Sequence, residues 1–204
     1  MWPKNCSPPN PPGWLTATSG SLSPSGRNTR AYNTNNTKKT KLKLANWNVR
    51  TLLDGGDRPE RRTAVVAQQL AAYDIDVAAL SETRLSGEGS LTEVGQGYTY
   101  YWRGVPEGQP RVHGVGLAIR SKIVNSLTEL PVGHSERLMS VRVPLARSKY
   151  MTIIATYAPT LQAEEEVKEE FYCALTQLIQ RVPSEDKLWV LGDFNARVGT
   201  DADV

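Results

Sequence analysis

Three hydrophobic patterns open the folded part of the chain. Residues 42–48 alternate between two faces and end in polar side chains, which predicts a strand. A helix is predicted to open at Pro59, with its cap near Asp57 or Arg58. Its apolar stripe consists of Val66, Leu70 and Tyr73. Residues 75–80 form a nearly continuous apolar run, typical of a strand covered on both faces. This strand–helix–strand order predicts an α/β domain.

Strand patterns dominate the middle of the chain, where turn residues separate them. Further strands are predicted over residues 97–103, 114–119, 138–145 and 150–157. The clearest helix is predicted over residues 163–182, because acidic residues crowd its start and a proline follows its end. Its apolar face consists of Val167, Phe171, Ala174, Leu175, Leu178 and Val182. The apolar segment that follows, residues 187–191, is interpreted as another buried strand.

The first 41 residues have a different composition from the rest. They are rich in Pro, Ser, Asn and Thr and lack apolar periodicity, so they are predicted to be a disordered tail preceding one domain at 42–204. The chain carries a net charge of +3, yet this tail holds six basic residues and no acid. Such an arm can add salt-dependent affinity for nucleic acid, but six charges over 41 residues are not dense, so a merely solvated tail is the favoured interpretation.

The start of the chain also bears on its location in the cell. Residues 1–9 contain no continuous apolar segment of the kind found in secretory signals. No segment approaches the roughly 20 apolar residues of a membrane helix. An intracellular protein without a membrane partner is therefore expected, in the nucleus if it acts on DNA.

Polar side chains follow directly on three of the predicted strands. They lie in the segments Asn46–Asn48, Ser81–Glu82 and Asp193–Asn195. Because strand ends of an open α/β sheet meet at a common crevice, these groups are expected to lie close together. Carboxylate and carboxamide oxygens are the ligands that suit a hard cation such as Mg²⁺. A bound magnesium ion polarises a phosphoryl oxygen and stabilises attacking and leaving oxygens.

Five segments in a fixed order carry a resemblance to a known family. They are Asn46–Arg50, Leu80–Arg84, Gly114–Ile119, Thr156–Pro159 and Leu191–Asn195. In this order they resemble the endonuclease/exonuclease/phosphatase superfamily, which includes DNase I-like nucleases. Residues 136–140 and the Gly-Asp-Phe-Asn-Ala-Arg-Val-Gly segment are similar to endonuclease domains of non-LTR retrotransposons and to craniofacial development protein 2-like proteins. The resemblance implies an α/β (α+β) four-layer sandwich, with two mixed β-sheets flanked by helices.

The resemblance also implies a Mg²⁺ (or Mn²⁺) cofactor and DNA as the partner. By analogy with the family, Glu82 is the principal metal ligand, and Asn48 helps to hold the metal or the phosphate. Asp193 orients or activates the attacking water, and Asn195 hydrogen-bonds the scissile phosphate. These roles together imply a DNA endonuclease of retrotransposon descent.

Two further positions receive roles from the same resemblance. Tyr157 is implied near the leaving group, where a phenol stabilises developing charge by hydrogen bonding. Arg84 is a candidate phosphate contact beside the metal.

Each of these residues has a purely structural alternative. Asn48 is also suited to cap a turn, and Glu82 to form a local ion pair with Arg84. Asp193 and Asn195 are suited to an Asx turn. The shared order of the segments, rather than any single residue, favours the catalytic interpretation.

One motif that the resemblance implies is not in this sequence. The family has a later Ser-Asp-His, whose His serves as general base or charge relay, but the only histidines here are His113 and His134. Neither context matches, so neither is expected to replace it. The expectation is a domain lacking its C-terminal third, weak or inactive as given, with unpaired sheet edges. A phosphatase of the same superfamily and a non-catalytic nucleic-acid- or protein-binding fragment remain alternatives.

Overall fold

The structure is a computed structural model that describes residues 41–56 and 59–196. The predicted tail, residues 1–41, therefore lies almost entirely outside the described residues. The elements follow in the order β1 (Leu44–Asn48), α1 (Arg62–Ala72), β2 (Val77–Ser81), β3 (Glu88–Glu93), β4 (Tyr98–Arg103), β5 (Val115–Arg120), α2 (Ser121–Val124), β6 (Val132–Ser135), β7 (Leu138–Pro144), β8 (Tyr150–Tyr157), α3 (Glu165–Gln180) and β9 (Lys187–Asp193). None of the described helices has the length and apolar character that a membrane span requires.

The described strands form two mixed sheets. The first sheet has the order β1-β2-β5-β4-β3, with β1 parallel to β2 and the other pairs antiparallel. The second has the order β6-β7-β8-β9, with β8 parallel to β9 and the other pairs antiparallel. Each sheet therefore has one parallel pair, and in each case a helix connects the two parallel strands.

The main core lies between the two sheets. The first sheet contributes Val77, Ala79, Val115, Leu117 and Ile119, and the second contributes Met139, Val141, Val143, Met151, Ile153 and Ala155. Alternate residues of each strand face this layer, as the two-residue period requires. Ala78 and Leu80 of β2 face outward against a helix, so both faces of the strand are covered and all five of its residues are buried.

Each sheet is covered by a helix on its outer face. Helix α1 packs Val66, Ala67 and Leu70 on the first sheet, and α3 packs Phe171 and Leu175 on the second. The layers therefore follow the order helix, sheet, sheet, helix. This arrangement confirms the predicted four-layer sandwich of two mixed sheets flanked by helices.

The local predictions need three corrections. Helix α1 begins at Arg62 rather than at Pro59, and the Arg62 backbone N–H is capped by Asp54 Oδ1 at 2.8 Å. Tyr73 follows the last turn and is 73% exposed, so it does not belong to the buried stripe. Strand β9 is at the edge of its sheet in the described part of the chain, and it is not the buried strand that its composition suggested.

Candidate active site

The ends of β1, β2, β8 and β9 lie together at one end of the sandwich. Parallel pairing aligns Asn48 with Ser81 in the first sheet and Tyr157 with Asp193 in the second. Strands β1 and β9 are also in contact across the two sheets. The side chains that follow these strands therefore meet, as the sequence predicted.

Asn48 links a carboxylate from each sheet. Its Nδ2 donates to Glu82 Oε1 at 2.7 Å and to Asp193 Oδ2 at 3.2 Å. The backbone N–H of Arg50 donates to Asn48 Oδ1 at 3.0 Å, which fixes which way the amide faces. The nitrogen of Asn48 therefore points at the two carboxylates and its oxygen points away from them.

Arg84 lies beside the same group. Its guanidinium donates to Glu82 Oε2 at 3.2 Å, so both carboxylate oxygens of Glu82 have a donor. The Arg84 side chain is only half-covered, so solvent weakens this ion pair and leaves the charge accessible to an incoming phosphate. Local ion pairing and phosphate contact are thus compatible roles for this arginine.

The segment after β9 is folded tightly onto β8. The Asn195 backbone N–H donates to Asp193 Oδ1 at 3.0 Å, which is the Asx turn predicted as an alternative. Asn195 Nδ2 donates to the carbonyl of Ala158 at 2.7 Å, and the Ala158 N–H donates to the carbonyl of Asp193 at 2.8 Å. This turn and the position of Asp193 beside Glu82 occur together, so the structural and catalytic interpretations do not exclude each other.

Gly192 explains why the segment before Asp193 needs a glycine. A Cβ at this position would lie 1.8 Å from the carbonyl oxygen of Thr156 on β8. The Gly192 carbonyl also accepts a hydrogen bond at 2.9 Å from Asn46 Nδ2 on β1. The absence of a side chain at Gly192 therefore lets β9 approach β8 closely just before Asp193.

The backbone adopts costly conformations at these strand ends. Arg50, Glu82, Arg84 and Asn195 have φ values of 60°, 56°, 55° and 45°. They are four of the seven non-glycine residues with positive φ in the described residues. Such conformations persist only where the surrounding structure enforces them, and they cluster at functional sites. Here they turn the side chains after β1, β2 and β9 toward one another.

Tyr157 forms one wall of the site and is buried. Burial raises the pKa of the Tyr157 hydroxyl, and the negative charges of Glu82 and Asp193 raise it further against the opposing effect of Arg137. The phenol therefore keeps its proton at neutral pH. A protonated phenol is a hydrogen-bond donor, which suits it to developing negative charge.

The carboxylates of this group fit a divalent metal of the magnesium type better than zinc. Among the described residues there is no group of three or more His, Cys, Asp or Glu that could hold a metal, which excludes a zinc-type cage there. Glu82 and Asp193, both bound to Asn48, provide two carboxylates. Mg²⁺ keeps several waters and binds through one or two carboxylates, so this pair fits it. The hydroxyls of Ser81 and Thr83, which flank Glu82 in the sequence, and of Thr156, which precedes Tyr157, are buried and have no hydrogen-bond partner among the described residues.

Most residues of this group were predicted from the sequence, and two were not. The structure brings together Asn48, Glu82, Arg84, Tyr157, Asp193 and Asn195, all of which were sequence candidates. It adds Arg137, whose guanidinium carbon lies 5.5 Å from the centre of the Tyr157 ring. It also adds His113, whose ring centre is 6.1 Å from that of Tyr157. Arg137 stands in the 136–140 segment, and His113 was considered from the sequence and set aside because its context does not match the Ser-Asp-His motif.

Comparison with curated proteins identifies similar chains. Craniofacial development protein 2 of Bos taurus is 31% identical over 157 residues, which are 77% of this chain and 24% of that protein. The protein of the same name from Tragulus javanicus is 30% identical over 157 residues, again 77% of this chain and 25% of that protein. This chain therefore spans about a quarter of the length of these curated relatives.

Solved structures share the fold. The catalytic domain of Xenopus laevis APE2 superposes with a TM-score of 0.52 at 17% identity, over 76% of this chain and 59% of that one. D. rerio TDP2 complexed with a single strand DNA product gives a TM-score of 0.51 at 17% identity, over 77% of this chain and 62% of that one. At these identities the likeness shows the fold and nothing further.

A family profile covers most of the chain. The Endonuclease/Exonuclease/phosphatase family matches residues 45–202, which include every residue of the group around Asn48. The resemblance predicted from five short segments is thereby confirmed, together with the similarity to craniofacial development protein 2. The chain therefore belongs to the Endonuclease/Exonuclease/phosphatase family.

Proposed function

We propose that the chain forms a divalent-metal-dependent phosphodiesterase site that cleaves DNA, with Mg²⁺ (or Mn²⁺) as the metal. The observation that carries this proposal is the bridge from Asn48 to Glu82 and Asp193, because it places two carboxylates from different sheets side by side. Two carboxylates beside a protonated phenol and an arginine are the groups that phosphodiester hydrolysis needs for positioning and charge neutralisation.

Glu82 is the proposed protein ligand of the metal. When bound, the metal would supply Lewis-acid stabilisation of the phosphoryl oxygens. Asn48 is proposed to hold the two carboxylates in place, since its nitrogen faces them. It becomes a ligand itself only if the amide turns its oxygen inward, which would break the hydrogen bond from Arg50.

Four residues are proposed to act on the phosphodiester. Asp193 orients the attacking water and accepts its proton, as a carboxylate close to the metal can do. Arg84 and Asn195 contact the phosphate through N–H groups; one of the two Nδ2 hydrogens of Asn195 is used by Ala158 and the other is free to donate. Tyr157 donates to the oxygen on which charge develops.

DNA is the proposed substrate for three reasons. The motif order resembles nuclease domains of non-LTR retrotransposons, and we propose the same descent for this chain. Its fold is shared with a TDP2 structure that contains a single strand DNA product. The six basic residues among the first 41 would add attraction for phosphates. As an enzyme acting on DNA, the protein is proposed to work in the nucleus.

The 204-residue chain is expected to cleave DNA slowly. Asp193 accepts hydrogen bonds from Asn48 and Asn195, and no histidine is among its partners in the described residues. General acid–base groups contribute about 10²–10⁴ in rate. We therefore expect nicking at least about a hundredfold weaker than that of a family member carrying the Ser-Asp-His motif.

Nicking of supercoiled plasmid tests the proposal. The chain should nick slowly with Mg²⁺ and stop with EDTA, and Asp193→Ala should abolish the reaction while His134→Ala leaves it unchanged. Parallel assays with phosphoinositides test the phosphatase alternative. If phosphoinositides are hydrolysed and plasmid is not, the DNA assignment is wrong. DNA binding that needs no metal, falls steeply with salt and is accompanied by no cleavage of either substrate would instead identify a binding fragment.

A further inference from the structure

Three side chains from separate parts of the chain meet beside the proposed site. Arg137 Nη1 donates to the backbone carbonyl of Tyr157 at 3.2 Å, and Arg137 Nη2 lies 3.1 Å from His113 Nε2. The guanidinium also lies over the Tyr157 ring, with 5.5 Å between its carbon and the ring centre. His113 precedes β5, Arg137 precedes β7 and Tyr157 ends β8, so only the folded chain brings them together.

Arg137 is a mostly buried cation with an unusual set of partners. Its side chain is only 12% exposed, and its closest carboxylate contact is Glu136, with 3.9 Å between Nε and Oε1. Arg142, by contrast, binds Asp186 through two hydrogen bonds of 2.8 and 2.9 Å. A buried charge is costly unless it is well paired, so the placement of Arg137 has a cost that its carboxylate contact does not offset. Its closest side-chain contacts are instead with the Tyr157 carbonyl and with His113 Nε2.

The contact with Arg137 determines the protonation of His113. A guanidinium has only donors, so His113 Nε2 must accept, and the neutral ring then carries its proton on Nδ1. Burial and the charge of Arg137 lower the pKa of His113, with Arg84 acting in the same direction and Glu136 and Glu82 opposing it. Nδ1 is buried and has no partner among the described residues. The Nδ1–H form is therefore a consequence of the contact with Arg137.

We propose that His113 and Arg137 are positioning residues for Tyr157: His113, as its Nδ1–H tautomer, holds Arg137, and Arg137 holds the Tyr157 ring and carbonyl at the site. The effect of this positioning on catalysis rests on the function proposed above, whereas the Nδ1–H tautomer of His113 does not depend on that function. Because Tyr157 and Asp193 are paired on neighbouring strands, fixing Tyr157 also fixes its position relative to Asp193. Misplacement of such a group by about 1 Å costs up to about a hundredfold in rate.

Nitrogen-15 NMR of the two histidines tests the tautomer without any assay of activity. In the intact chain, His113 should show a protonated Nδ1 and an unprotonated Nε2 at neutral pH. In Arg137→Met this pattern should be lost, while the signals of His134, which contacts Ser140 instead, stay unchanged. Arg137→Lys is a second variant in case the methionine disturbs folding, and circular dichroism checks both. A wild-type His113 protonated on Nε2 would overturn the proposal.

Plasmid nicking with matched histidine variants tests the positioning role. His113→Ala should lower kcat by about ten- to a hundredfold and change KM by less than about twofold, because it misplaces Tyr157 without removing a phosphate contact. His134→Ala should match wild type. Arg137→Lys should keep more activity than Arg137→Met, since it retains the charge. Equal rates for the two alanine variants would refute the positioning role. Absence of nicking in wild type would count against the proposed function alone, because the NMR result still decides the tautomer.

Discussion

Strands β2 and β9 each place a carboxylate at the candidate site, but the two strands are packed very differently. Each lies parallel to a neighbouring strand and delivers a carboxylate, Glu82 after β2 and Asp193 at the end of β9. Strand β2 lies between β1 and β5, and all five of its residues are buried. Strand β9 is paired only with β8 in the described residues, and Trp189 on it is 49% exposed.

One carboxylate is therefore held in place by the core and the other by a few specific contacts. Glu82 follows a strand whose position is fixed by packing on both faces. Asp193 depends on hydrogen bonds at the edge of the sandwich, from Asn46 to the Gly192 carbonyl and from Asn48 to the Asp193 carboxylate. The site is therefore predicted to be rigid on the β2 side and easily disturbed on the β9 side.

The largest effect is expected from removing the charge of the better-supported carboxylate. Glu82→Gln keeps the shape of the side chain but removes the negative charge proposed to bind the metal, so Mg²⁺-dependent nicking should fall by at least about a hundredfold. Thermal unfolding should change little, because the glutamine can still accept the hydrogen bond from Asn48. A variant that nicks as well as wild type would contradict the assignment of Glu82.

Truncations on the two strands should differ clearly in stability. Leu80→Ala on β2 removes a fully buried side chain and should lower the free energy of unfolding by about 2–5 kcal/mol. Trp189→Ala on β9 removes a larger but half-exposed side chain, and the cost should be about 1 kcal/mol. Urea denaturation followed by circular dichroism measures both. Equal losses would mean that β9 is as firmly packed as β2.

A smaller effect is expected from the hydrogen bond that connects β9 to the first sheet. Asn46→Ala removes the donor to Gly192 and should lower the free energy of unfolding by about 0.5–1.5 kcal/mol. Faster amide hydrogen exchange should appear in β9 and not in β2. Asn125→Ala, at an exposed asparagine after α2, is the control and should leave both strands unchanged. Uniformly faster exchange would indicate a global rather than a local role.

The smallest effect on stability is expected from protonating Asp186, the residue before β9. Asp186 accepts hydrogen bonds from Arg142 and Thr152, and the bond from Arg142 is the main cause of its lowered pKa. A carboxyl whose pKa is lower in the folded state contributes stability that is complete above about pH 4 and is lost as pH falls through the folded-state pKa. Stability should therefore fall less steeply below pH 4 in Asp186→Asn than in wild type. Identical pH dependence would show that this pair does not stabilise β9.

Much of the fold was predictable from hydrophobic periodicity. Strand β8 was predicted at its exact bounds, and the other predicted strands and α3 lie within a few residues of theirs. Two strands were missed for physical reasons. Strand β3 (Glu88–Glu93) is mostly polar, and β6 (Val132–Ser135) has only four residues, so neither has a strong alternating pattern. The burial of β9 was misjudged because composition does not reveal whether a strand has two neighbours.

The site was predictable as far as strand ends determine it. Asn48, Glu82 and Asp193 all follow apolar runs. The parallel pairing of β1 with β2 brings Asn48 and Glu82 together, and the contact of β1 with β9 across the two sheets brings Asp193 to them. The group around Arg137 was not predictable, because its members are far apart in sequence. The antiparallel pairing of β7 with β8 brings Arg137 to Tyr157, and the loop before β5 brings His113 to Arg137. The direction of the Asn48 amide likewise depends on a backbone donor whose conformation no sequence motif specifies.

Binding of Mn²⁺ followed by NMR shows whether a metal binds beside Glu82, because Mn²⁺ replaces Mg²⁺ and broadens signals close to it. Substoichiometric Mn²⁺ should broaden the side-chain amide of Asn48 and the backbone amides around Glu82 and Asp193, and leave those of His134 sharp. In Glu82→Gln this local broadening should disappear. Broadening that is absent from this site in wild type, or that is equally strong in Glu82→Gln, would contradict a metal site built on Glu82.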